Sequence, residues 1–529
     1  MPATRVRRRS RLRPTLVHTR AAHYRRPGGP WDRGALESTF TGGAGAGIVD
    51  DSGRLDGNAV EACVAAMAGR LRAAGVRRGD VVAWQLPNGA PAVVLYRACW
   101  RLGAVAAPLH HRLGATEVTG ALDQVSPVLV LSTSDLPAAG FPGARTLNAG
   151  RGLDALLDHF EAAAPVDAAA SPARGSDVAV ALFTSGSTGI PKAALHTHRG
   201  LGYKATLMVD IHGLDQRDAV LMPAPLAHVS GLLNGVLLPA SAGIPSVLMA
   251  GWDPEEGLRL IEEERVTFMG APPVFFSQMT ASGRFRAERV ASLRLVSTGG
   301  ASVSPAFVDA TADAFACRVK RTYGSTEAPT VTTSGPQDSL ERARDTDGHA
   351  TGEVEMTVHD PGTGARRGVG EAGELWLRGP ELFVGYADAD MTERVVTKPG
   401  RWFRTGDLGV LDADGWLRVT GRLSDIIIRA GENISASEVE ATLEAHPSVR
   451  HAVAVPVPDP EVGERVAVFV ETSAPFDLAT CRAWFTERSV TRFKTPEFVF
   501  VLDALPVLAA GKPDRAAMRT MAVKLAAAS

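Results

Sequence analysis

Cysteine is scarce in this chain of 529 residues. The four, Cys63, Cys99, Cys317 and Cys481, lie far apart and form no C-x-x-C pair. That pattern excludes a disulfide framework and a thiolate zinc site, and it suits a reducing cytoplasm. Lysine is scarce too, at positions 192, 204, 320, 398, 494, 512 and 524, while arginine dominates the 56 basic residues. A genome-wide bias toward arginine accounts for this, and it makes any lysine in a glycine context more informative. Net charge is only −2, so the charge balance implies no polyanionic partner and no nucleic acid is expected. No run approaches the roughly 18 apolar residues of a membrane span. The basic stretch 5–13 is followed by polar residues and Pro27-Gly28-Gly29-Pro30 instead of an apolar signal core, so residues 1–40 are expected to be a flexible tail. His196 and His198 have no thiol or carboxylate nearby in sequence and read as strand residues, not metal ligands.

Familiar nucleotide and nucleophile spacings are also missing. The glycines of 42–47 do not meet G-x-G-x-x-G, and the strand-like Ile48-Val49 follows them when a Rossmann turn needs it before. No serine has glycine two places away on both sides, which excludes the hydrolase elbow. Pro191 and Ala193 flank Lys192, so the Walker lysine followed by a metal-binding hydroxyl is absent.

What is present is an ordinary globular composition, 45% hydrophobic and 22% charged, with length for roughly three domain-sized units. The apolar run 178–183 reads as a strand that empties into Thr184, Ser185, Gly186, Ser187, Thr188 and Gly189 and closes on Pro191 and Lys192. Glycines let backbone N–H groups approach a phosphate, and hydroxyls add donors. The loop is a candidate phosphate cradle. Helical spacing over 59–74, 91–102, 200–209, 254–264 and 272–279 alternates with strands at 80–86, 105–109, 128–131, 220–222 and 266–269, which predicts a wound α/β sheet. Residues 134–176, rich in Ala, Pro, Gly and Asp, read as a variable connection.

Two further strands end in chemically suggestive turns. The strand at 293–297 runs into Thr298-Gly299-Gly300-Ala301, and that at 319–322 into Tyr323-Gly324-Ser325-Thr326-Glu327. Ligands of open α/β sheets sit at such strand ends, and together the three turns favour a nucleoside triphosphate with magnesium. Prolines and His228 over 223–232 suggest a pocket wall opening into an apolar helix. Beyond 353 the texture changes to short strands and glycine turns, and a small β subdomain is expected over 353–402. Next come a strand at 426–428, a helix at 437–445 capped by Ser435 or Ser437, strands at 451–457 and 465–471, and a helix at 479–489.

Residues 183–192, 323–327, 404–409, 421–440 and Gly511-Lys512, in this order, resemble the core motifs of the adenylate-forming superfamily. That superfamily comprises acyl-CoA synthetases, peptide-synthetase adenylation domains and luciferases, and the resemblance spans about 55–519. It implies an α/β fold with a β subdomain: a large N-terminal adenylation domain over 41–421 and a small mobile α+β domain over 422–529. It implies two half-reactions as well. A carboxylate attacks the α-phosphate of ATP to give an acyl-adenylate and pyrophosphate; then a thiol, usually that of coenzyme A, displaces AMP.

By the same resemblance Thr184 to Gly189 and Lys192 hold the β- and γ-phosphates, and Thr184 with Glu327 serves the magnesium. Gly299, Gly300 and Ala301 line the adenine and acyl pocket, Tyr323 stacks on adenine beside Gly324 and Ser325, and Thr326 contacts the α-phosphate. Asp407, assisted by Arg422, accepts from the ribose hydroxyls. Lys512 stabilises charge on the reacting carboxylate and α-phosphoryl oxygens, consistent with the reliance of phosphoryl chemistry on fixed positive charge. A domain rotation about Ser424, where the family often has Asp or Lys, then lets the turn around Gly431 line a pantetheine tunnel.

The acyl pocket falls by position on His228, Val229, Ser230, Phe276, Ser302 and Ala328. Their apolar or small side chains disfavour a second carboxylate on the substrate. The absence of an aspartate beside His228 disfavours an amino acid. The stretch 252–272 is similar to that of cyclohexanecarboxylate and medium-chain ligases, so a medium-chain, alicyclic or aryl acid is expected. The expected enzyme is a cytoplasmic acid–thiol ligase, and a homodimer is among the assemblies the resemblance admits. Two alternatives stand beside it: an enzyme loading a carrier protein, and a non-catalytic nucleotide-binding scaffold, against which the presence of Glu327, Asp407, Arg422 and Lys512 argues.

Overall fold

The computed structural model describes residues 36–40, 46–147, 152–184, 191–301, 303–398, 400–430, 432–488, 490–508 and 513–526. The predicted site residues Ser185, Gly186, Ser187, Thr188, Gly189, Ser302, Gly431 and Lys512 lie outside them. The chain forms two compact units, Met1–Glu355 with Arg378–Arg401, and Met356–Leu377 with Trp402–Ser529. Among the described residues no helix is long and apolar enough to cross a membrane.

The first unit holds two sheets. In the seven-stranded one the order is Gly385–Tyr386, Lys192–Thr197, Val178–Thr184, Val105–Leu109, Val81–Gln85, Leu129–Thr133 and Arg145–Leu147. From Val178–Thr184 to Arg145–Leu147 its strands pair in parallel, and the interior ones read as continuous apolar runs because helices cover both faces. The period of two decides which residue meets which layer. Val81 and Ala83 face the helix Ala115–Val125, whereas Val82 and Trp84 enter the central core. That core, with Tyr96, Trp100, Leu201 and Met208, also takes Val220, Met222 and Phe268 from a nine-stranded sheet. The far face of the nine-stranded sheet is covered by the helices Pro254–Glu263, Pro273–Ala281 and Pro305–Phe315. The result is five alternating layers of helix and sheet.

The second unit has a four-stranded antiparallel sheet, Glu355–His359, Gly373–Arg378, Phe403–Leu411 and Leu417–Arg422. Its other sheet is built on the long hairpin Val449–Asp459 and Gly463–Thr472. Ala452, Ala454, Val466 and Val468 face Ala436–Glu444 and Leu478–Glu487, while Val453, Val455 and Phe469 face Arg515–Ala526.

Three expectations change, and one choice left open is decided. His198 is the first residue of the helix His198–His212, capped by the Thr197 side chain, so only His196 of the pair is in a strand. Gly385–Tyr386 does not belong to a small β subdomain; it pairs with Lys192–Thr197 in the first unit, where a two-residue strand is too short to show its partner by periodicity. The connection 134–176 contains the strand Arg145–Leu147, parallel to Leu129–Thr133, and the helix Leu153–Asp158, both too short to rise above the Ala/Pro/Gly background. Of the two serines offered as caps, Ser435 is the one whose side chain accepts from Glu438 N. By contact, the residues 402–421 group with the C-terminal residues, upstream of the expected boundary at 422.

Candidate active site

The turns after Gly299 and after Tyr323 sit at the carboxyl ends of their strands, where strand hydrogen bonding stops and frees backbone groups. Thr184 ends Val178–Thr184 and pairs across the hairpin with Lys192, so strand pairing holds the two ends of the phosphate loop together. Gly299 ends Leu295–Gly299 beside Thr322; a Cβ on it would stand 2.2 Å from the Thr322 carbonyl oxygen, so only glycine fits. Gly300 has φ +76°, and Ala301 follows it in the same turn. Gly324 is equally confined, with a Cβ 2.4 Å from Thr330 N.

Past Tyr323 the chain folds into a tight turn, with Ser325 N donating to Ala328 O at 3.0 Å and Ala328 N to Ser325 O at 3.2 Å. Three contacts bind this turn to the phosphate-loop sheet. The His196 ring nitrogen Nε2 lies 2.7 Å from the Thr326 carbonyl oxygen. Phe383 N donates to Glu327 O at 2.7 Å. The Tyr386 hydroxyl donates to Glu327 Oε1 at 2.6 Å. Burial lowers the His196 pKa to about 4, so the ring is neutral at pH 7. Burial, then the charge of Glu327, raises that of Tyr386, whose phenol therefore stays protonated and donates. The Lys192 ammonium lies 5.8 Å from the centroid of the same Tyr386 ring. Tyr386 and His196 thus join Lys192 and Glu327, which are 135 positions apart in sequence.

The polar atoms left over fit a nucleotide with its metal. Ser325 Oγ and Thr298 Oγ1 are buried without a hydrogen-bond partner among the described residues. Among the described residues Glu327 Oε2 takes no hydrogen bond, and no group of three His, Cys, Asp or Glu residues is gathered. Magnesium suits such a site, since it binds through one or two carboxylates plus substrate phosphates.

The predicted acyl pocket starts where His228 precedes the helix Val229–Leu232, which continues as a π-helical turn, Leu233–Leu237. Asn88 pins the approach, donating to Ala224 O at 2.9 Å and accepting from Leu226 N at 2.8 Å. A Cβ on Gly231 would meet Pro225 O at 2.0 Å, so Ser230 and Val229 are held against the 223–228 segment. The His228 ring lies 5.0 Å from that of His110, which caps the strand Val105–Leu109. His110 Nδ1 accepts from Arg112 N at 2.9 Å, and burial first, then neighbouring cationic groups, brings its pKa to about 3. Ala328 is buried in the tight turn. Phe276 is fully buried, edge-on to Phe315 at 6.0 Å in the outer core.

In the second unit Asp407 and Arg422 are register partners, and Arg422 Nε pairs with Asp407 Oδ1 at 2.7 Å. Beneath the 404–409 turn, Glu374 accepts from Arg404, Trp376 and Gly406 N, a support that no motif announced. Ser424 donates to Asp425 at 2.9 Å, and Arg515 lies 3.5 Å from Asp425 and 2.7 Å from Glu440. Sequence reading missed Tyr386, His196, His110 and Glu374. Tyr386 alone left a trace, as a tyrosine after glycine in a chain with five tyrosines.

A family model described as AMP-binding enzyme matches residues 37–387, and one described as AMP-binding enzyme C-terminal domain matches 438–512. The chain belongs to the AMP-binding enzyme family. Among its relatives, a medium-chain fatty-acid–CoA ligase of Escherichia coli (strain K12) is 32% identical over 89% of this chain and 87% of its own length. A feruloyl-CoA synthase of an Amycolatopsis species is 34% identical over 85% and 90%. Among solved structures, the o-succinylbenzoate coenzyme A synthetase of Bacillus subtilis in complex with ATP and magnesium ion superposes with a TM-score of 0.78, at 26% identity over 92% of this chain and 99% of that one. The family member described here is an enzyme of the AMP-forming acid–thiol ligase class, with ATP, magnesium and coenzyme A as its reactants and metal.

Proposed function

We propose that this ligase activates a medium-chain, alicyclic or aryl carboxylic acid as its adenylate and passes the acyl group to coenzyme A. The observation that carries this reading is the joining of Lys192 and Glu327 through Tyr386, with His196 on the Thr326 carbonyl. A cation for phosphate and a carboxylate for magnesium are thereby fixed on one sheet edge. The acid class rests on the uncharged wall from Val229 to Leu237 and on the names of the two relatives.

In the first step a carboxylate oxygen of the acid bonds to the α-phosphorus of ATP, and the bond to the pyrophosphate oxygen breaks. Thr184, the loop after it and Lys192 hold the leaving pyrophosphate, Thr326 the α-phosphate, and Tyr323, Gly324 and Ser325 the adenine. Magnesium bound at Glu327 would neutralise phosphate charge. Asp407, paired with Arg422, accepts from the ribose hydroxyls, and Lys512 stabilises charge on the reacting oxygens. In the second step the thiolate sulfur of coenzyme A bonds to the acyl carbon and AMP leaves, the pantetheine arm passing Gly431. We place the change between steps at the 422 boundary, about Ser424, and the reaction in the cytoplasm, where ATP and coenzyme A are made.

A panel of carboxylates incubated with enzyme, ATP and magnesium, with and without coenzyme A, tests this. AMP and an acyl-CoA from medium-chain, alicyclic or aryl acids are expected. Thioester formed only on an added carrier protein would move the acceptor, and no pyrophosphate exchange with any acid would overturn the reading.

A further inference from the structure

We propose that Tyr386 is a positioning residue that presents Glu327 to the metal and Lys192 to the pyrophosphate. This rests on the ligase reading above. A glutamate side chain has three rotatable bonds, and a metal ligand pays to freeze them. Here the freezing is done before any metal arrives: the phenol fixes Oε1 at 2.6 Å, and Oε2 accepts no hydrogen bond among the described residues.

The donor is neutral, and that matters. A lysine or arginine on Glu327 would cancel the charge a divalent cation needs, whereas a phenol orients the carboxylate and leaves its charge. The ring face serves the second group, since the Lys192 ammonium lies 5.8 Å from its centroid, within the range of a cation–π contact. Tyr386 is itself well anchored. Its backbone N donates to Thr392 Oγ1 at 2.8 Å, the strand register sets it opposite Ala194, and it packs edge-on to Phe383 at 5.0 Å. One side chain therefore sets the distance between the metal-binding anion and the phosphate-binding cation.

The two functions separate in two variants of the full-length protein. Tyr386→Phe keeps the ring and loses the hydroxyl; Tyr386→Leu loses both. Binding of Mn2+ in the presence of α,β-methylene-ATP, read by electron paramagnetic resonance, reports the metal site without turnover. Tyr386→Phe is expected to weaken Mn2+ binding about 10- to 100-fold, the range of support-residue losses at metal sites, with nucleotide affinity in the absence of metal unchanged. Tyr386→Leu is expected to weaken both. Melting temperatures of the variants identify a folding defect, and in that event Tyr386→Phe with the wild-type melting temperature decides alone. Mn2+ binding by Tyr386→Phe equal to wild type would overturn the inference. Absence of Mn2+–nucleotide binding by the wild-type protein would instead overturn the ligase reading itself.

Discussion

Two carboxylates proposed to touch the nucleotide, one in each unit, are held by opposite means. Glu327 in the first unit is held by the neutral Tyr386 hydroxyl, whereas Asp407 in the second is paired with the cation of Arg422. The difference follows from what each must do. A metal ligand needs its negative charge uncompensated, so its support must orient without neutralising. A ribose acceptor faces only neutral hydroxyls, so a half-exposed arginine can pair with it without competing with a metal ion. A third carboxylate, Glu381, marks the structural extreme. It is fully buried with Lys204 at 3.3 Å, and Lys204 also donates to Thr351 at 2.8 Å. Burial, opposed by the pair's own attraction, raises the Glu381 pKa and lowers that of Lys204. Partner type thus separates the two carboxylates, proposed to face metal and sugar, from the structural one.

The sorting can be broken experimentally, the structural member first. Glu381→Gln should destabilise the protein by about 3–5 kcal/mol, because it leaves a buried ammonium unpaired. A double variant, Lys204→Met with Glu381→Leu, should recover much of that in thermal melts. Equal melting temperatures for wild type and Glu381→Gln would remove Glu381 from the structural class.

Lys512→Ala should slow adenylate formation by about 10²–10³-fold, the scale of losing one fixed charge-stabilising group, while conversion of supplied acyl-adenylate to thioester stays near wild type. Equal loss in both half-reactions, measured separately, would contradict its assignment to the first. Asp407→Ala should raise the KM for ATP about 10- to 100-fold, since hydrogen bonds to a charged acceptor contribute about 1.5–3 kcal/mol. Arg422→Ala should cost only a few-fold, because Arg422 is 55% exposed and surface ion pairs contribute about 0.2–1 kcal/mol. If the arginine variant proved worse than the aspartate one, Arg422 would be the ligand-binding group and the comparison would invert.

The strand ends at Thr184, Gly299 and Tyr323 and the large α/β unit were legible because each depends on local pattern: apolar runs that give way to glycines and hydroxyls. The cap of the helix Ala436–Glu444 was narrowed to Ser435 or Ser437 for the same reason, and Ser435 makes it. Tyr386 was not, because its meaning lies in a two-residue edge strand and in partners 59 and 194 positions away. His196 shows a related limit. A buried histidine on a backbone carbonyl looks in sequence like one half of an H-x-H pair. Phe276 shows the converse: its apolar character suits a pocket, and a fully buried ring against Phe315 suits a core equally well.

The central claim is that the acid's own oxygen becomes bonded to the α-phosphorus. Turnover of a carboxylate labelled with 18O in both oxygens, with ATP, magnesium and coenzyme A, tests it directly by mass spectrometry of the released nucleotide. One 18O in AMP and none in pyrophosphate is the predicted result; unlabelled AMP, or label in pyrophosphate, would contradict the acyl-adenylate.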